Sequence, residues 1–147
     1  MNKELIDWLV ERGWSIAQLL DQRREEIVAR VTARFYAHFP TLCLDTFRPD
    51  AVQFQALVFQ QTPLRLHRHV QLVLRARSFR SMDWEYRWAV GLLAGYGVHR
   101  HHLLRAAHWY FDVGSSVIGA CPADRKGLLV LEAAVLNLIE ESVLHLK

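Results

Sequence analysis

A chain of 147 residues with 52% apolar side chains can bury a core of ordinary size, which excludes a disordered chain. Its formal net charge of +3 is too small to argue for nucleic acid, and its two cysteines, Cys43 and Cys121, form no CxxC pair, which argues against a disulfide framework or a cysteine zinc site. No apolar run reaches membrane-spanning length and the start, MNKELIDWLVERGW, is amphipathic rather than signal-like, so no membrane partner and a reduced cytoplasmic location are expected.

Glycine and proline are scarce, at 7 and 4 residues, which favours long helices over many short strands. Residues 3–20 place Leu5, Ile6, Leu9, Val10, Ile16, Leu19 and Leu20 at helical spacing. Gly13 interrupts them, so one kinked helix or two short ones are expected. From Gln22 to His38 two series, Ile27-Val31-Phe35 and Val28-Thr32-Tyr36-Phe39, step by three or four, the mark of an amphipathic helix. Pro40 restricts the residue before it, so this helix should stop near Phe39. PTLCLDTFRPD is then a short connection anchored by Phe47.

Asp50 opens the next helix, in which Phe54, Leu57, Val58 and Gln61 share a face. Thr62-Pro63 looks like a cap followed by proline at the first helical position, so a new helix or a sharp kink is expected there. Leu66, Val70, Val73 and Leu74 form the inner stripe from Leu64 to Arg77. Arg65, His67, Arg68, His69, Arg75 and Arg77 surround it, either as a solvated face or as an edge that meets an anion.

SFRSMD reads as a loop, and Trp84 to Ala94 as a helix. The chain is organised around this stretch, from Trp84 to Ile118. Gly95-Tyr96-Gly97 breaks it into two helices joined by a tight corner, because glycine loses the most backbone entropy inside a helix. His99, His101 and His102 follow at once. Residues from His99 to Gly119 carry Leu103, Ala106, Tyr110, Val113, Gly114 and Val117 inward, with Leu104, Phe111 and Ile118 widening the apolar surface. The last helix starts at Cys121-Pro122, with Leu128, Leu131, Val135, Leu138 and Ile139 inside. No segment alternates with period two, so a single all-α domain over residues 1–147 is expected.

The run Arg34-Phe35-Tyr36-Ala37-His38-Phe39, followed by Phe47, resembles the B–C–CD region of bacterial globins. Gly97-Val98 and the helix ending in GSSVI resemble the F–G corner and G helix of globin-coupled sensors and protoglobins. DRKGLLVLEAAVLNLIEESVLHLK resembles the H helix of the same sensors. The resemblance covers nearly the whole chain and implies a globin-like fold of six to eight helices, with haem b as cofactor. It implies Tyr36 as a distal hydrogen-bond donor to a bound gas and Phe47 as a ring packed on the macrocycle.

Sensor globins carry their proximal histidine four residues before the Gly-Val pair, where this chain has Leu93. A second register is similar to flavohaemoglobins: His99 is followed by Arg105 and by His108-Trp109. It makes His99 the first choice of axial ligand, since neutral imidazole is the usual donor to globin iron, with His101 and His102 as the alternatives along the corner. In this register His67 or His69 falls near the distal position, and Arg65, Arg68 or Arg75 can pair with propionates.

Two readings follow. One is a haem-binding sensor that detects O₂ or another diatomic gas and signals through helix packing. The other is a haem-free globin-like regulatory domain, resembling the amino-terminal domains of stressosome regulators. Leu93 favours the second; His99, His67, His69 and Tyr36 favour the first. The resemblance also implies a homodimer through the last two helices, and a separate signalling partner. The histidine run lacks an acidic or cysteine partner at zinc-ligand spacing. The adjacent pairs Glu25-Glu26 and Glu140-Glu141 point in different directions on a helix, so no enzyme is expected.

Overall fold

The structure, a computed structural model, describes residues 2–39 and 50–145. Phe47, Cys43 and Leu146 lie outside the described residues. Among the described residues six helices follow in order: α1 (Lys3–Gln22), α2 (Arg24–His38), α3 (Ala51–Ala76), α4 (Arg80–Ala94), α5 (Arg100–Val117) and α6 (Pro122–His145). No strand occurs among the described residues, so the fold is all-α.

α1 starts at a capped end, where the Asn2 side-chain oxygen accepts from the Glu4 amide at 2.7 Å. It runs through Gly13 without a break, contrary to the expected kink or division. The glycine serves packing. A Cβ at Gly13 would stand 2.2 Å from the Leu74 carbonyl oxygen, so its absence lets the backbones of α1 and α3 approach. Gly127 does the same for α1 on α6, where a Cβ would meet the Trp8 ring at 2.2 Å.

α3 corrects a second expectation. It is one continuous helix with Pro63 inside, not two helices meeting at Thr62-Pro63. Proline has no N–H to give the carbonyl four residues earlier, which orphans the oxygen of Phe59. The Thr32 hydroxyl of α2 donates to that oxygen at 3.4 Å. A cross-helix bond replaces the missing one, so the helix continues. α4 begins at Arg80, inside the segment that reads as a loop.

The Gly95-Tyr96-Gly97 corner forms as expected. The amides of Tyr96 and Val98 both donate to the Leu93 carbonyl, and Gly97 takes a left-handed φ of 83°. α5 is the central helix, packed on α2, α3 and α6. Its Leu103, Ala106, Tyr110, Phe111 and Val113 are buried on more than one side, as the two apolar stripes anticipated. Phe35 of α2 stacks on Phe59 of α3 with ring centroids 4.8 Å apart, and meets Trp109 of α5 edge-on at 5.5 Å. α4 packs on α6 but touches α3 sparsely, and this leaves open space between α3 and α4.

Candidate functional site

That space is a groove of about 330 Å³. Phe54, Leu57 and Val58 of α3 form one wall, Tyr86, Ala89 and Leu93 of α4 the other, and Leu103 of α5 closes the floor. The α3 face Phe54-Leu57-Val58-Gln61 was legible from its spacing. The α4 wall was not, because Trp88 and Leu92 are exposed at its rim while Leu93 is half-buried, an arrangement set by how α4 leans on α6. The corner ties the groove's end to α3: the Gln55 amide donates to the Tyr96 carbonyl at 2.6 Å, and the Phe54 and Tyr96 rings stack at 3.8 Å.

Polar groups gather at the other end. Arg65 holds Glu85 through its guanidinium, with Nε at 2.7 Å from Oε1. The second carboxylate oxygen of Glu85 accepts from His69 Nε2 at 2.8 Å. Burial alone would raise the Glu85 carboxyl, but the His69 and Arg65 hydrogen bonds together outweigh it and hold the group below its ordinary range. The other ring nitrogen of His69, Nδ1, is buried without a partner. Glu85 was not singled out from sequence. Its signal was an acid on the buried side of an apolar helix, opposite Arg65 and His69, which share a helical face at a spacing of four.

His67 points away from the groove, into the core. Its Nδ1 lies 2.7 Å from the Tyr110 hydroxyl and its Nε2 lies 3.0 Å from the Asp21 carboxylate. With the imidazole neutral, the Tyr110 O–H donates to Nδ1 and Nε2–H donates to Asp21. Burial lowers the His67 pKa, with Asp21 only partly offsetting it, so the neutral form is the one this chain of bonds holds. The Tyr110 hydroxyl is fully buried and its pKa is pushed up by that burial.

The remaining candidates lie at the start of α5, beside the corner, and on α2. His99 is exposed at the N-cap of α5, and its backbone amide donates to His102 Nδ1 at 2.8 Å. His102 is buried, with its ring 4.6 Å from Phe39 and 3.9 Å from the His101 ring. Tyr36 is 45% exposed and meets Phe59 edge-on at 5.2 Å. So the structure brings together Leu93 and the α3 face, and, beside them, Arg65 with His69. It does not bring His67, His99, His102 or Tyr36 to the groove wall.

A haem seated in this groove would need an axial donor on its wall, and in globins that donor is an imidazole. None of the wall residues carries one. The Tyr86 hydroxyl is buried with its pKa pushed up, which disfavours the phenolate that iron would require. Both nitrogens of His67 are engaged, and His69, whose Nε2 is held by Glu85 and whose Nδ1 is free, does not line the groove. The residues present do not fit the group. Among the described residues, no cluster of three or more His, Cys, Asp or Glu side chains is placed to hold a metal ion. No helix among them is long and apolar enough to cross a membrane.

Comparisons with family models, with curated proteins and with solved structures find no match to this chain.

Proposed function

We propose that this chain is a haem-free, globin-like regulatory domain whose α3–α4 groove holds a small, mainly apolar ligand. The observation that carries the reading is the groove wall: Phe54, Val58, Tyr86, Leu93 and Leu103 line it without an imidazole. In the globin resemblance α3 and α4 stand for the E and F helices, and Leu93 stands where sensor globins place the proximal histidine. An apolar side chain there leaves an apolar pocket in place of an iron ligand. A groove of a few hundred Å³ with a few polar groups at one end is the ordinary form of a small-molecule site. Ligand entry would signal by shifting α4, the wall with few contacts to α3.

The test has two arms. Haem is titrated into the protein and the Soret band followed; no stoichiometric band is expected, and one-to-one uptake that is lost in His99→Ala would restore the sensor with a haem iron. An apolar fluorescent probe is titrated in parallel. Ala89 lines the groove and is only half-buried, so Ala89→Phe fills the space from its edge. Probe binding should be lost in Ala89→Phe with the helical signal unchanged. Probe binding that survives places the ligand site elsewhere.

A further inference from the structure

Beside the groove, α4 turns a second apolar surface outward. Trp84 is 67% exposed and Trp88 is 44% exposed, with their rings edge-on 6.0 Å apart. Leu92 continues the same stripe one turn on, and Leu57 of α3 faces solvent across the groove mouth. Neither indole N–H has a hydrogen-bond partner among the described residues. Arg80 stands one turn before Trp84 on the same stripe, Arg77 sits in the turn that precedes it, and Arg68 projects from α3. These three arginines are exposed and have no acidic partner among the described residues. The acids on α4 are already taken: Asp83 by Arg87 at 3.0 Å, and Glu85 by Arg65 and His69.

The charge is placed unevenly along the chain. Residues 50–95 hold Arg65, Arg68, Arg75, Arg77, Arg80 and Arg87 against Asp50, Asp83 and Glu85, so this segment carries the whole net charge of +3 and the rest of the chain balances. Two tryptophans, two leucines and unpaired guanidinium groups on one face match an interface whose outer layer is anionic and whose inner layer is hydrocarbon. Indole prefers that boundary, where its ring is apolar and its N–H finds acceptors. Lying on such a surface does not require a spanning helix, so the length of the helices is no obstacle.

We propose that the α4 face, with Trp84, Trp88 and Leu92 as anchors and Arg68, Arg77 and Arg80 as the cationic contacts, docks on an anionic lipid surface. Trp84, Arg68, Arg77 and Arg80 do not line the groove, whereas Trp88 and Leu92 also form its rim.

The test is cosedimentation with vesicles of phosphatidylcholine alone and with vesicles containing about 30% phosphatidylglycerol, an anionic fraction large enough for charge attraction to register. Binding is expected only to the anionic vesicles, with a blue shift of tryptophan emission and a fall in binding as salt rises. Trp84→Ala/Trp88→Ala should abolish it. Arg77→Gln/Arg80→Gln should weaken it about fivefold for each arginine removed. Trp14→Ala should bind like the unmodified protein, because Trp14 is exposed on α1, under Arg75, and is not part of the α4 stripe. All these side chains are exposed, and circular dichroism verifies that each variant keeps its helices. No binding to anionic vesicles overturns the proposal, as does binding that survives Trp84→Ala/Trp88→Ala. A dimer that dissociates in that double variant, without vesicle binding, assigns the face to a second copy instead. Binding to soluble polyglutamate but not to vesicles assigns it to an acidic polypeptide.

Discussion

Tyr110→Phe tests the bond chain that crosses the core from Asp21 through His67 to Tyr110. The change removes one oxygen and leaves the ring in place, so packing is preserved while His67 Nδ1 loses its donor. His67 is 2% exposed, and water does not replace the lost partner. An unsatisfied buried acceptor costs about 1–3 kcal/mol. For a domain of this size each kcal/mol lowers the melting temperature by about 2–4 °C. Thermal unfolding at pH 7.5, above the ordinary histidine range, should therefore show a melting temperature lower by roughly 2–12 °C.

The same chain sets a pH dependence whose sign follows from the lowered His67 pKa. Unfolded, the imidazole binds its proton at an ordinary pKa near 6.5; folded, burial delays protonation to lower pH. Between those two values the unfolded state holds more protons, so stability rises with pH and is lost as pH falls. The native reason is geometric. A protonated His67 would donate from Nδ1 and leave the Tyr110 O–H without an acceptor. The slope is bounded by one proton, about 1.4 kcal/mol per pH unit. His67→Gln removes the titration, so its stability should vary less with pH between 7 and 5 than that of the unmodified protein. Asp21, whose carboxyl is lowered chiefly by the His67 hydrogen bond, contributes in the same direction but at more acid pH. Equal slopes for the two proteins, or a Tyr110→Phe melting temperature unchanged within a degree, refute the reasoning.

Glu85→Leu strips Arg65 and His69 of their shared acceptor and should destabilise by about 1–3 kcal/mol, chiefly because His69 is then buried with neither nitrogen satisfied; urea unfolding measures it, and restoration of the loss in Glu85→Gln would show that a neutral acceptor is enough. Gly13→Ala puts a methyl group 2.2 Å from the Leu74 carbonyl and must push α1 off α3, so a loss of about 1–3 kcal/mol is expected even though alanine is the better helix former. A gain in stability would mean that the two backbones can separate freely. For the homodimer that the globin resemblance implies through α5 and α6, Leu129 is the probe: it is 60% exposed on α6. Light scattering should show a dimer that Leu129→Glu weakens by burying an unpaired charge; a monomer mass for the unmodified protein at micromolar concentration rules the dimer out.

The sequence by itself determined the helices and their inner faces. Leu66, Val70, Val73 and Leu74 of α3 and Leu128, Leu131, Val135 and Ile139 of α6 are buried as their spacing requires, because a three-four period can only put one face of a helix into a core. It also determined the Gly95-Tyr96-Gly97 corner, since the left-handed φ at Gly97 is a local demand that glycine meets locally. Only the tertiary structure decided that the helices run on through Gly13 and Pro63. Both residues disfavour a helix by their own chemistry, and both are overruled by a neighbour distant in sequence: Leu74 needs the space at Gly13, and Thr32 supplies the donor that Pro63 lacks. The fate of the histidines was decided in the same way. His67, His69, His99 and His102 are alike as residue types, and chain order alone does not say which nitrogen meets which partner. Partners for His67 and His69 come from other helices: Asp21 and Tyr110 draw His67 into the core, and Glu85 holds His69 at the groove's end. His99 stays at an exposed helix start, where its own backbone bonds to His102. Helix periodicity is a property of neighbours in the chain, whereas the groove and its polar end arise from side chains on α3, α4 and α5 that meet only after those helices have packed.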